Sequence, residues 1–474
     1  MKLNISSSSI RQYAVVVIVN FAVVTTGMSI AWPSPVLVKL RNATETPLPE
    51  PITEEEGSWV VAGGYLCAMF TNVFGGMLLD LIGRKYCLLL SSVSKLTMAL
   101  LLIFADQVWM LIFSRAVMAV TDSFVFIIVP VYASEIASKD HRGALGTLLQ
   151  VFSSLGVVIT LSVGPFLSYV NFSIVVASVI AVTTVPLFFL PDTPYYLYSK
   201  GHTEDAVKVL TQLRGSEQLA NEEIKEYEIS KKNEKEVDKI ALLKNRTFLK
   251  SVLLGFLLAG GAQLVGFNAV SFYLQTILES TQTSVMPEIA SVIIGVIQVL
   301  ASFCTTLIMS KFGRRSILLT SLAGMCLGMI GLGVFFIISG AEGYVITGFM
   351  NYLPIISLIF VIFCYCAGIG SLLWLVIAEV FEGPSRALGV SISVTASSLF
   401  IFITTKYFAI VTLAIGPAPT YWFFAAMCVL VGILIAVFLP ETKGKSFSEI
   451  QEALGGNTDN TEIKTTDNNI KESI

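Results

Sequence analysis

The sequence predicts an all-α membrane protein with twelve transmembrane helices in two six-helix bundles. Three observations carry that expectation. Of 474 residues, 54% are hydrophobic and only 13% charged, far more apolar than an ordinary soluble domain. Ionisable residues are also absent over long stretches: no Asp, Glu, Lys, Arg or His occurs over 143–191, 251–278 or 407–440. About 20 apolar residues cross the hydrocarbon as a helix, so the first stretch holds two spans. Finally, the landmarks that flank the spans occur twice, in the same order, once in each half of the chain.

Taken in order, the apolar runs place six spans near 13–34, 58–79, 86–105, 108–131, 143–168 and 172–190. Six more fall near 251–277, 288–309, 316–338, 353–377, 387–412 and 420–439. The first run has no small-residue cleavage site and reads as a helix rather than a signal peptide. Residues 1–12 precede it as a short N-terminal segment. Residues 191–250 form a linker rich in Lys and Glu of alternating sign, expected to contain short solvated helices. Residues 440–474 turn polar, and the last 20, rich in Asn and Thr, lack the apolar content to fold.

Charge placement orients the chain. With a cytosolic N-terminus, Lys39 and Arg41 lie outside, and Lys95, Arg115 and Lys406 lie within spans. The rest of the 30 basic residues fall on the cytosolic side. The sequons at Asn42 and Asn171 then face outward as glycosylation candidates, and that at Asn245 faces inward. Seven scattered cysteines give no metal or disulfide pattern, and the two histidines, His141 and His202, leave none inside the membrane. The sequence implies no metal or cofactor, no nucleic-acid partner and no obligate protein partner. An enzyme is disfavoured because no nucleophile, metal set or nucleotide motif appears.

The repeated landmarks are specific. Asp80-Leu-Ile-Gly-Arg84-Lys after the second span matches Lys311-Phe-Gly-Arg314-Arg after the eighth. Glu135 precedes Arg142 as Glu379 precedes Arg386, and Pro191-Asp-Thr-Pro matches Pro440-Glu-Thr-Lys. Such pairing implies two bundles related by an axis along the membrane normal, with a site between them at the midplane. Glutamates gain nothing from a positive-inside rule. We therefore expect Asp80, Arg84, Glu135 and Arg142, with Arg314, Glu379 and Arg386, to form a cytosolic latch that holds the outward-open state. The alternative is that these charges only set topology.

Together the landmarks resemble the sugar-porter family of the major facilitator superfamily. The segments PVYASEIA (130–137), RGALGTLLQ (142–150), PDTPYYL (191–197) and PETKGKS (440–446) carry the resemblance over about residues 11–452. AWPSP (31–35) and PITEEEGSW (51–59) look like the insect trehalose-transporter branch. The resemblance implies alternating access, a sugar as substrate, and contacts from Gln150, Gln263, Asn268, Gln298 and Trp374. Amides match ring hydroxyls and an indole matches C–H faces, although each amide also suits a bond between helices.

Several positions depart from the family pattern. Its Gln-Gln pair is Ala262-Gln263, its Gly-Pro-x-Pro-Trp run is Gly370-Ser-Leu-Leu-Trp374, its Asn-Trp pair is Ser397-Ser398, and its Glu-Arg is Ser310-Lys311. Without the prolines, the tenth helix is expected to bend less readily. Proton-coupled members place an Asp where this chain has Ser29, which points to facilitated diffusion. Gly444-Lys-Ser lacks the upstream glycine of a phosphate loop, so ATP coupling is not expected. Asp122 is an intramembrane acid, read as a structural partner of Lys95 or else as a functional carboxylate. A proton-driven sugar or polyol symporter and a non-transporting sugar receptor remain as alternatives.

Overall fold

The computed structural model describes residues 7–138, 145, 148–233, 246–342, 344–381, 386–443, 445 and 449–450. Among the described residues, eleven helices are long and apolar enough to cross a membrane, and Leu148–Val163 is a shorter apolar helix in the place expected for the fifth span. The first half comprises Ser7–Ala31 with Pro33–Arg41, then Glu54–Ile82, Arg84–Ile103, Val108–Ile136, Leu148–Val163 and Tyr169–Thr184. The second comprises Arg246–Leu264 with two short continuations, then Pro287–Lys311, Arg314–Ser339, Leu353–Ala367 with Ile369–Val380, Arg386–Ile415 and Pro417–Phe438.

Local chemistry sets the ends. Pro33 and Pro35 lack the N–H a helix interior needs, so the first span steps at Trp32 and restarts as far as Arg41. Thr53 caps the second span, accepting from Glu56 N while the Glu56 carboxylate accepts from Thr53 N. Gly164-Pro165 ends the fifth span at Val163, short of the expected 168, and Pro186 turns the end of the sixth into a 3-10 helix, Val185–Phe189.

The expectation of a stiffer tenth helix is overturned: it breaks between Ala367 and Ile369, at Gly368. Side chains from spans 8 and 9 and from the second piece of span 10 itself replace the lost backbone bonds. Ser321 donates to Cys364 O (2.7 Å) and accepts from Ile369 N (3.1 Å), while Thr305 and Ser371 both donate to Cys366 O. A Cβ at Gly368 would collide with Ser321. Glycine therefore performs the break for which proline was thought necessary.

The packing repeats between halves. Span 1 packs on 5, 2 on 4, 3 on 6 and 1 on 4; correspondingly, 7 packs on 11, 8 on 10, 9 on 12 and 7 on 10. Between the halves, span 2 meets 11 and span 5 meets 8, which the same two-fold relation interchanges. Lipid tails are as apolar as leucine, so close approach comes from small residues. Gly27 and Gly156 let spans 1 and 5 touch at Ser153 O and Val24 O, where any Cβ would clash.

The linker helices Pro194–Ser199, Thr203–Arg214 and Glu217–Asn233 lie against the first half. Arg214 pairs with Glu223 and donates to Ile136 O, at the end of span 4. Gln12 bridges Ser138 N and Leu213 O. These bonds define a linker face; the opposite ends of the spans form the far face.

Candidate functional site

The seventh span is the most interrupted. Gly266 takes a left-handed φ of 85°, which favours glycine, and a Cβ there would enter the Phe424 ring. The helix stops at Leu264 and restarts at Phe267. Gln263 and Asn268 thus flank one break and their amides meet. Asn268 donates to Gln263 Oε1, and Gln263 donates to Ser397 Oγ at 2.8 Å. Gln263 is buried and Asn268 half-buried.

Of the other predicted contacts, Gln298 is buried on span 8 and Gln150 half-buried on span 5, the two spans that meet between the halves. Between them Ser154 and Ser302 share a hydrogen bond of 2.7 Å. Trp374 is 40% exposed on the second piece of span 10. Sequence reasoning missed Asn72. This buried amide on span 2 donates to Ser398 Oγ at 2.8 Å, across the halves. Its only signal was an amide inside an apolar span. The apolar grooves between spans 9 and 12, lined by Cys326, Trp422 and Val429, lie away from these amides.

The intramembrane charges form a second group. Lys95 pairs with Asp122 at 2.6 Å and donates to Thr26 (2.9 Å) and Thr25 (3.3 Å). A buried charge of this kind needs such a partner. Arg115 donates to both the carbonyl and the hydroxyl of Ser29, each at 3.0 Å, and lies over the Trp32 ring at 5.1 Å. Where proton-coupled members carry an acid, a neutral hydroxyl faces this guanidinium.

At the linker face the repeated landmarks acquire a common structural role. Asp192 follows span 6 and accepts from Lys85 N at the start of span 3; Glu441 follows span 12 and accepts from Arg314 N (2.7 Å) and Arg315 N (3.2 Å) at the start of span 9. A carboxylate is favoured at a helix N-terminus. The preceding glycines make room, since a Cβ on Gly83 would lie 2.5 Å from Asp192 Oδ2 and one on Gly313 would overlap Glu441. Burial pushes the Asp192 carboxyl above its ordinary value against the pull of the amides of Thr193, Lys85 and Arg84. Burial also opposes ionisation of Glu441, but the amides of Lys443, Arg314, Arg315 and Thr442 outweigh it and lower the pKa.

Arg84 pairs with Glu135 (3.0 Å) and with exposed Asp80 (3.2 Å), and Arg314 pairs with Glu379 (3.5 Å), which also accepts from Thr442. Each described pair lies inside one half, so none bridges the halves. Arg142 and the Arg386 side chain, the remaining members of the expected latch, fall outside the described residues, as do His141 and the sequon at Asn245. Asn42 is exposed in the far-face loop. Asn171 is exposed at the start of span 6, but its sequon Ser173 is buried.

Two repeated bundles meeting along spans 2 and 11 and spans 5 and 8, with amides at the seam, define the architecture of a major facilitator carrier. Residues 15–454 match the family described as sugar (and other) transporter, and the chain belongs to that family. It is 29% identical over 449 residues to the facilitated trehalose transporter Tret1 of Polypedilum vanderplanki, covering 94% of this chain and 88% of the relative. Against Tret1 of Bombyx mori it is 29% identical over 434 residues, covering 90% and 84%. The fold is similar to the inward open conformation of the xylose transporter XylE from E. coli, with a TM-score of 0.77 and 19% identity over 93% of this chain and 99% of that one.

Proposed function

We propose that the chain is a facilitative carrier that moves a sugar, trehalose or a hexose, down its gradient by alternating access. The observation that carries this reading is the amide cluster at the seventh-span break. Gln263 and Asn268 already bond each other and Ser397, so a polyhydroxylated ligand exchanges with existing bonds instead of filling empty ones, which keeps affinity low. Gln150, Gln298 and Trp374 complete the site in this reading, Trp374 by stacking on C–H faces. Ser29 opposite Arg115 supports uniport, because a hydroxyl does not titrate in the physiological range. The names of the Tret1 relatives support trehalose.

In the same reading the linker face and both termini are cytosolic, the membrane is the plasma membrane, Asn42 is the glycosylated sequon, and the charges at the ends of spans 4 and 10 hold each half rigid as the halves rock. The test is uptake of labelled trehalose and glucose into cells expressing the chain, beside Gln263→Ala. Loss of two hydrogen bonds at about 0.5–1.5 kcal/mol each raises the KM about tenfold. Absence of uptake of either sugar, from protein present at the cell surface, would overturn the reading.

A further inference from the structure

Lys406 is a third buried intramembrane cation, apart from the Lys95–Asp122 and Arg115–Ser29 contacts. It lies on span 11, nine residues before the far end at Ile415, and is only 5% exposed. All of its partners among the described residues belong to the other half. Its ammonium donates to Ser58 Oγ at 2.7 Å, approaches Glu55 O at 3.5 Å and stands 4.3 Å from the centre of the Trp59 ring. One turn away Phe402 packs on Trp59, with ring centroids 6.0 Å apart. The groups around it are those of the span 2 N-terminus. Glu54 is paired with Arg41 and Glu56 is held in the capping box, so Glu55 is the first-turn acid whose charge acts on Lys406 and offsets a helix dipole that alone would repel the cation.

The bonds traced between the halves run from the midplane outward. Asn72–Ser398 and Ser154–Ser302 lie deepest; Tyr65 stacks on Phe272, and Ser34 accepts from Gln275 N near the far face. Apart from Lys406, these contacts are neutral. We propose that Lys406, clamped by Ser58 and Trp59, is the lock of the far gate: it holds the halves together at that face, and its release is required for the site to open there. A desolvated cation over an indole, with a charged hydrogen bond, is among the strongest single contacts a side chain makes. Both interactions exist only while the gate is shut. The lock thus biases the equilibrium without touching substrate. The inference rests on the alternating-access reading, but its test does not require transport.

The experiment uses full-length protein in lipid nanodiscs, with exposed Cys67 replaced by serine and spin labels at Glu50→Cys and Ala414→Cys, one on each half at the far face. Pulsed dipolar spectroscopy should give a dominant short distance in the parent. Lys406→Met should raise the ratio of long to short distances at least about thirtyfold, the low end of what is expected from losing the cation–π contact and the charged bond. Lys406→Arg, which keeps the charge and the stacking, should stay short. Trp59→Leu, which also removes the packing on Phe402, should shift the same way. An unchanged distribution in monodisperse Lys406→Met protein overturns the lock, even if sugar transport is normal. A shift in the variant, where the parent protein itself carries no sugar, upholds the lock and overturns the transport reading.

Discussion

Adding one methyl group at Gly83 should disable the helix-end brace at the linker face. Gly83 has φ 102° and ψ 159°, a region reserved for glycine, which costs another residue about 1–3 kcal/mol. The new Cβ would also sit 2.5 Å from Asp192 Oδ2 and 2.8 and 3.0 Å from the Tyr196 ring. The carboxylate must therefore leave the start of span 3, forfeiting about 0.3–1 kcal/mol of dipole stabilisation. Gly83→Ala should cost about 2–4 kcal/mol. Gly313 has an ordinary φ of −71°, so Gly313→Ala pays only for displacing Glu441 from the start of span 9, about 0.3–1 kcal/mol by the same dipole measure. Thermal unfolding of the detergent-solubilised protein, followed by size-exclusion chromatography, measures both. The two perturbations at Asp192 must also be non-additive: Asp192→Ala should cost far less in Gly83→Ala protein than in the parent. Equal costs in the two backgrounds, or parental melting of Gly83→Ala, would refute the brace.

Two further outcomes follow from the same geometry. Lys95→Met strands the Asp122 carboxylate in the membrane and should destabilise by about 3–5 kcal/mol, while Lys95→Met with Asp122→Leu should recover most of the loss in the same melting assay. Glu441 has a pKa below its ordinary 4.5, so its contribution to stability is complete above that value and fades as pH falls through the depressed one. The stability difference between parent and Glu441→Gln should therefore be present at pH 7 and shrink on acidification toward pH 3.

Much of this was legible in the sequence because lipid imposes a strong rule: backbone groups must be satisfied within a helix, and charge-free runs show where. The spans and the two-fold repeat followed from that rule and from the spacing of Gly-Arg and Glu…Arg. The joint between Gln263 and Asn268 was not legible, since a left-handed turn at Gly266 cannot be distinguished from other glycines in an apolar run. The tenth-span break was misjudged for a related reason. Missing prolines suggested rigidity, while the groups that support the break, Ser321 and Thr305, lie on other spans. Asp192 and Glu441 were visible as landmarks but not as helix caps, because their amide partners lie more than a hundred residues away. Lys406 stood out as a buried charge, yet its partner on the opposite half depends on tertiary contact alone.

The central property of the carrier is downhill movement of sugar without a coupled ion. Purified protein in liposomes loaded with unlabelled trehalose or glucose should take up the matching labelled sugar, and an imposed inward proton gradient should leave the steady-state level at equilibration. Accumulation above equilibration, driven by the proton gradient and abolished by a protonophore, would contradict the role assigned to Ser29 opposite Arg115 and make the chain a symporter.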